Sequence, residues 1–305
     1  MSAKNLYYRV KPYIPRSVQI QMRRVVVQQQ RRKSKHVWPI DENAGKLPEG
    51  WRGWPDNKSF ALVLTHDVDT GKGMERCASL MDIEMGLGFR SSFNFVPERY
   101  NIPPQLRRMM EKCGFEVGIH GLNHDGNMFR SRAIFEYQSF HINRYLKDWG
   151  VVGFRAPLMY HHLEWIQELD IEYDTSTFDT DPFEPQPYGV GTIFPFWVSD
   201  NNGNKGYVEL PYTLPQDFTL FVLMREKNID IWKKKLDWIV DKGGMVLMNT
   251  HPDYMNFDEG KSNIGLYPVK MYSEFLEHIR YHFDGKYFHA LPRDLSSWFV
   301  KKYVI

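Results

Sequence analysis

Five consecutive apolar residues, Phe60 to Leu64, run without interruption into Thr65, His66, Asp67, Val68 and Asp69. A run this short and this uniformly apolar suits a strand buried on both faces, which occurs where helices cover a parallel sheet. The pattern recurs along the chain. SFNF (92–95), FEVGI (115–119), VVGF (151–154), a short stretch at 171–173, MVLMN (245–249) and YFHA (287–290) all read as strands. Helical patterns separate them: Met74, Cys77, Met81 and Met85; residues 104–112; residues 133–147, with Phe135, Ile142 and Leu146 on one side; residues 161–168; Trp232, Leu236 and Ile239; and Tyr272, Leu276, Ile279 and Phe283. Alternation of this kind predicts βα units around a mostly parallel sheet, and at least six such units favour closure into a barrel. Residues 176–215 break the rhythm. They are rich in prolines and aromatics, with a weak strand at Tyr207–Leu210, and a loop of that length predicts a role such as covering a site.

The flanks differ in character. Residues 1–40 contain ten Lys or Arg and no Asp or Glu, whereas the whole chain has 39 basic and 37 acidic residues. The 59–305 body is therefore mildly acidic and the 1–40 segment is a basic arm; residues 41–58, broken by Pro48, Gly50, Gly53 and Pro55, read as a linker that Trp51 and Trp54 anchor. After Pro15 a helix is predicted, with Val18, Met22 and Val25 sharing a face and Tyr7, Tyr8 and Tyr13 preceding it. Such a helix suits an anionic membrane surface, or docking on the acidic body or a partner subunit. Nucleic acid is not an expected partner, because the body offers no basic groove to continue the arm. The 305 residues hold no apolar run of membrane-spanning length and no apolar leader core, and only two cysteines, Cys77 and Cys113. A reducing, cytoplasmic setting is expected, peripheral to the inner membrane face if the arm binds lipid.

Chemistry-bearing residues sit where strands end. Asp67 and Asp69 follow 60–64, His120 and His124 follow 115–119, Arg155 and Pro157 follow 151–154, Asp174 follows 171–173, and His251 follows 245–249. In parallel α/β folds those ends open into one crevice, so groups far apart in sequence are predicted to converge. Two histidines four residues apart plus a carboxylate from another strand form a two-His, one-acid set that leaves positions open for water. Each piece alone has an ordinary explanation: Asp-x-Asp is a common capping turn, and Gly121, Asn123, Asp125 and Gly126 mark a polar turn around the histidines. His251 alone would pass for a structural histidine, and Arg155 for a buried ion-pair partner.

Taken in order, Asp-x-Asp, His-x-x-x-His, Arg-x-Pro, Asp and His on successive βα units resemble the polysaccharide deacetylases, carbohydrate esterase family four or NodB-homology proteins. The resemblance spans roughly residues 58–295 and implies a distorted barrel of about seven parallel strands. It also implies a divalent metal, usually zinc, and hydrolysis of an N-acetyl group. THDVD (65–69) matches the first motif, implying Asp67 as base and Asp69 as metal ligand, with the Asp-Val-Asp spacing of peptidoglycan-deacetylase-like members. HGLNH (120–124) implies His120 and His124 as ligands, with Gly121 where Ser or Thr is common. FRAP (154–157) implies Arg155 orienting Asp67, and the usual aromatic is displaced to Tyr160. Asp174 takes the fourth motif's place, implying that it pairs with the acid; Asp253 is a rival partner, and Phe178 or Trp197 stands in for a missing Trp. MNTH (248–251) implies His251 as general acid. The expected substrate is an N-acetylated saccharide, nucleotide-linked or lipid-linked, in surface-polysaccharide or glycan-precursor metabolism. The alternatives are a deformylase or other amidase, a non-catalytic saccharide-binding relative, and a non-haem iron oxygenase, which also uses two histidines and a carboxylate.

Overall fold

A computed structural model describes residues 15–186, 188–199, 205–258 and 263–304. Its sheet begins with β1 (Phe60–Val68), all nine residues of which are buried. Then β2 (Ser92–Phe95), β3 (Glu116–His120), β4 (Gly153–Arg155) and β5 (Tyr173–Asp174) follow side by side, each parallel to the last. Beyond β5, the strand β6 (Phe196–Ser199) runs antiparallel to β7 (Gly206–Glu209), and β7 pairs parallel with β5. On the other edge of β1 lies β8 (Met245–Thr250). A small pair, β9 (Met255–Asn256) and β10 (Tyr267–Pro268), stands apart, and β11 (Tyr287–His289) pairs with the first residues of β1. Irregular chain closes the gap between β7 and β8. The Thr213 amide donates to the Leu247 carbonyl at 3.0 Å, Thr213 Oγ1 accepts from the Leu247 amide at 3.0 Å, and the Met245 amide donates to the Ile193 carbonyl at 2.8 Å. The result is a distorted (β/α) barrel, as expected.

Helices α1 (Arg16–Lys33), α2 (Gly71–Leu87), α3 (Pro104–Lys112), α4 (Arg132–Trp149), α5 (Leu163–Ile166), α6 (Asp230–Lys242), α7 (Lys270–Phe283) and α8 (Pro292–Phe299) are joined by a buried π-helical turn, Phe218–Leu223. Gly88 and Gly150 end α2 and α4 in the left-handed conformation, which lets the chain turn back into the next strand. The π-helical turn, α8 and β6 were not foreseen. The described residues 176–186 and 205–215 are pinned to the body: Lys235 of α6 meets Asp179 at 2.7 Å with both side chains buried. The Tyr212 hydroxyl contacts Asp181 Oδ2 at 2.9 Å and Glu184 Oε1 at 2.8 Å.

The N-terminal helix forms where the Pro15–Arg16 start predicts it, and it docks on the body through a face other than the Val18, Met22 and Val25 stripe. Ile20 and Val27, seven residues apart, are buried, each contributing about 1.5–3 kcal/mol of apolar transfer. Arg24 Nε donates to the Val222 carbonyl at 2.9 Å and its Nη2 to the Ile264 carbonyl at 3.1 Å, tying α1 to the π-helical turn. Val18, Met22 and Val25 instead face outward. The arm's first residues, including Tyr7, Tyr8 and Tyr13, lie outside the described residues. In the 41–58 segment, Trp54 Nε1 donates to the Gly243 carbonyl at 2.8 Å and Trp51 stacks on Tyr303 with ring centroids 5.0 Å apart. No described helix is long and apolar enough to cross a membrane.

Candidate active site

Strand alternation sorts the residues of 65–69. Successive side chains point to opposite faces, so Thr65, Asp67 and Asp69 share one side and His66 takes the other. His66 lies outside the barrel, its Nδ1 2.7 Å from Thr250 Oγ1 and its Nε2 2.6 Å from Glu84 Oε1 of α2. The same alternation turns Asn94, His120, Arg155 and Asn249 inward. Small residues make the space: a Cβ on Gly118 would lie 2.3 Å from Asn94 Oδ1.

Asp67 is held from three sides. Its Oδ1 accepts from Asn94 Nδ2 at 3.0 Å and from Arg155 Nη1 at 3.1 Å; its Oδ2 accepts from Asn249 Nδ2 at 2.8 Å. Arg155, with no exposed surface, also donates Nη1 to Thr65 Oγ1 at 2.9 Å and Nε to the Thr175 carbonyl at 2.9 Å. Burial raises the Asp67 pKa, but the Arg155 charge, the nearby His120 and His251, and the Asn94 bond outweigh it and hold the carboxyl below the usual carboxylate range. The Arg155–Asp67 pairing expected from sequence is present. Asn94 and Asn249 were missed, although both are amides at inward positions of otherwise apolar strands.

Asp69, His120 and His124 offer ligand atoms that all lie within 4.8 Å of one another. Asp69 Oδ1 is 3.1 Å from His124 Nε2 and 3.5 Å from His120 Nε2. Ligands about 2.1 Å from a tetrahedral zinc stand about 3.4 Å apart, so these separations match one shared ion. Two further observations fit. Asp69 Oδ1 is buried and accepts no well-formed hydrogen bond among the described residues, which is costly for a carboxylate unless a cation faces it. His120 Nδ1 lies 3.1 Å from the Arg155 carbonyl, which fixes Nδ1 as donor and leaves the Nε2 lone pair pointing at the site. Gly121 is required here: its φ is +64° and a Cβ would sit 2.4 Å from the Pro157 ring, so the second and third motifs are packed against each other. His124 itself has φ +58°, and Leu158 and Met159, which line the same cleft, also have positive φ. Backbone strain of this kind collects at functional sites.

His251 is buried, and its partner corrects the sequence reading. Asp217 Oδ1 lies 2.7 Å from His251 Nδ1, and Asp217 Oδ2 accepts from the His251 amide and the Tyr267 hydroxyl, each at 2.9 Å. Burial lowers the His251 pKa, but the Asp217 charge and hydrogen bond, with Asp69 and Asp67 behind them, push it up to about 10. Asp174 is not that partner. Tyr173 takes the inward position of β5, its hydroxyl donating to Glu116 Oε1 at 2.7 Å, so Asp174 faces the other side. There it accepts from Ser176 Oγ at 2.6 Å and stands beside Glu209, its register partner on β7, and burial pushes the pKa of both carboxyls up. Asp253 is not the partner either: its Oδ2 accepts from the Asp69 amide at 2.9 Å, buttressing the ligand loop. Tyr160 and Trp197 do not line the cleft; Phe183, Phe218 and Tyr254 supply its aromatic surface.

These groups open into one cleft of about 650 Å³, whose walls come from the strand ends, from Phe183–Pro185, and from α1 through Arg16 and Arg23. Solved structures of similar shape exist. A Pseudomonas aeruginosa protein assigned as a polysaccharide deacetylase superimposes with TM-score 0.67 at 14% identity, over 88% of this chain and 100% of that one. A Mycobacterium smegmatis protein with the same assignment gives TM-score 0.60 at 18% identity, over 83% and 94%. The chain has the polysaccharide deacetylase fold. An allantoinase, PuuE, shares it with TM-score 0.65 at 15% identity, over 88% of this chain and 99% of that one, so the fold by itself does not choose the reaction. No family model and no curated protein matches the sequence.

Proposed function

We propose that this chain is a metal-dependent hydrolase that removes the N-acetyl group of a saccharide. The observation carrying this reading is a single cleft in which a three-ligand set, a clamped carboxylate and a carboxylate-paired imidazole converge. Asp69, His120 and His124 would hold a divalent cation, and their N and O donors suit zinc. Bound there, it would polarise the acetamide oxygen and lower the pKa of water, which a base as weak as Asp67 requires.

The chain's own residues supply the rest. Asp67 Oδ2, 3.9 Å from His120 Nε2, borders the ligand set and takes the proton of the attacking water. Arg155, Asn94 and Asn249 fix that carboxylate's rotamer and keep it ionised. As the C–N bond breaks, His251 delivers its Nε2 proton to the leaving amine, so the products are acetate and an amino sugar. Asp217 holds the imidazole by Nδ1 and keeps it charged. The Asp67 clamp and the Asp217–His251 pair are machinery that a non-haem iron oxygenase does not need. Amide hydrolysis on a different substrate is the second reading, favoured by the allantoinase of the same fold. We further propose that the outward stripe of Val18, Met22 and Val25, with Arg32 and Lys33 at the end of the same helix, lies against an anionic membrane surface.

Elemental analysis tests the metal half of the reading. About one zinc per chain in the wild type, absent from a folded His120→Ala/His124→Ala variant, is the expected result. No bound metal after reconstitution in either protein would refute it.

A further inference from the structure

The reading above says which bond breaks but not what kind of saccharide enters. The cleft rim carries an answer. Four cationic side chains line it: Arg16 and Arg23 from α1, Lys72 at the start of α2, and Arg99 in the loop after β2. None of the four forms an ion pair with a carboxylate among the described residues, whereas Arg31 on the same helix pairs with Glu226 at 2.6 Å. Arg16 and Arg23 are seven residues apart, two turns and about 10.5 Å along the helix. Both nonetheless lean over one ring: their guanidinium carbons lie 6.0 and 4.9 Å from the centroid of Phe218. Two cations gathered on one aromatic ring, neither paired to a carboxylate among the described residues, leave their hydrogen-bond donors available to an anion in the cleft.

The acidic groups of the cleft do not neutralise this rim. Asp69 belongs to the metal set and Asp67 to Arg155. Asp253 is occupied by the Asp69 amide and Thr70. Glu184 is half-buried, and its Oε1 accepts from the Tyr212 hydroxyl and from Gln216 Nε2, each at 2.8 Å. Desolvation with the neighbouring Asp181 pushes its pKa up to about 8, against a smaller opposing pull from Arg23, and it forms no ion pair with either arginine among the described residues. Asp125 is exposed and accepts from the Asn127 amide at 2.8 Å. The rim is also connected to the chemistry. Phe218 follows Asp217 directly, its ring lies 4.5 Å from Tyr254, and the Tyr254 ring lies 5.2 Å from His251. Two aromatic rings, Phe218 and Tyr254, stand between the arginines and His251, which points to an anion beyond the acetylated ring.

We propose that Arg16 and Arg23, with Lys72 and Arg99 on the β1 and β2 side, bind an anionic group, phosphate or carboxylate, borne by the saccharide beyond its acetamido sugar. This rests on the saccharide reading above. It makes α1 a specificity element of the site: a diphosphate-linked N-acetyl sugar, or one joined to an acidic sugar, is taken, and a neutral oligosaccharide is taken poorly.

Binding calorimetry on the zinc-reconstituted full chain tests this, with Asp67→Asn to prevent turnover. The probes are UDP-N-acetylglucosamine, an N-acetylglucosamine–glucuronate disaccharide, and neutral di-N-acetylchitobiose. At least one anionic probe is expected to bind roughly tenfold or more tightly than chitobiose, with an affinity that falls with salt. Which of the two does so separates phosphate from carboxylate. Adding Arg16→Gln/Arg23→Gln, both exposed and therefore tolerant of change, should erase that advantage and leave chitobiose binding unaltered. In the active background the same pair should raise KM with kcat unchanged, and Lys72→Gln/Arg99→Gln should do so more weakly. Equal binding of all three probes, or an anion preference that survives Arg16→Gln/Arg23→Gln, would overturn the proposal. The two readings fail separately. Arginine-dependent anion binding without deacetylation of any probe would sink the deacetylase and leave the anion site. Deacetylation with an unchanged KM in the arginine variant would do the reverse.

Discussion

Replacing Asp217 by Asn removes one charge from a fully buried pair and leaves the shape almost intact. In the folded protein the His251 pKa stands at about 10 against an ordinary 6.5, despite a burial that by itself would lower it. Asp217, at 2.7 Å from Nδ1, is the largest upward influence; Asp69 and Asp67 act from farther away. With Asn the burial remains and the closest anion is gone, so the imidazole pKa should fall by about two units or more, about 3 kcal/mol at 1.36 kcal/mol per unit. That agrees with the ~3–5 kcal/mol typical of breaking a buried ion pair. NMR titration of the His251 ring in metal-free protein reads the pKa directly. In the zinc enzyme, the alkaline limb of kcat/KM should move to lower pH, while the acid limb stays. Stability carries the same signature with a defined sign. Because folding raises this pKa, the pair's stabilisation is complete below pH 6.5 and fades as pH climbs through about 10. The gap in unfolding free energy between wild type and Asp217→Asn should therefore narrow between pH 7 and 10. An unmoved His251 titration and an unmoved alkaline limb would refute the assignment of Asp217 as the residue that sets the acid.

Other perturbations probe different joints of the account. Gly121→Ala places a methyl group 2.4 Å from the Pro157 ring at a left-handed φ, so it should destabilise the fold by more than roughly 1 kcal/mol, read as a lower melting temperature, and weaken zinc retention on dialysis against chelator. Lys235→Met leaves Asp179 buried without its partner and should cost about 3–5 kcal/mol in urea unfolding, an effect that Asp179→Leu in the same chain partly restores. Val18→Ser/Met22→Ser/Val25→Ser removes only outward-facing apolar surface; co-sedimentation with phosphatidylglycerol vesicles should fall while the melting temperature holds, and unchanged sedimentation would end the membrane proposal.

What the sequence made legible follows from burial. Strands covered on both faces must be apolar throughout, so 60–64, 115–119 and 245–249 stand out, and the polar residues that follow them fall at one end of the barrel. That is why Asp67, Asp69, His120, His124 and His251 meet in one cleft, with Arg155 buried behind Asp67. Asp217 was not legible, because it follows an irregular stretch with no period, and only the closure of the barrel at Thr213 and Leu247 brings it under His251. Asp174 misled for the opposite reason: it does end a strand, but that strand's register turns Tyr173 inward and Asp174 out. In α1 the apolar stripe of Val18, Met22 and Val25 is what periodicity shows, and it stays outside the body contact. The body contact uses Ile20 and Val27, seven residues apart, together with Arg24, which bonds to two backbone carbonyls. An expectation built on hydrophobicity does not see such contacts.

The central claim is tested most directly by acetate release from a panel of N-acetylated saccharides, neutral and anionic, incubated with the zinc-loaded protein and with its Asp67→Asn variant. The account predicts acetate from the wild type in step with one new primary amine, and a rate about 10²–10⁴-fold lower in the variant. No acetate from any saccharide, or release that Asp67→Asn leaves undiminished, would contradict it.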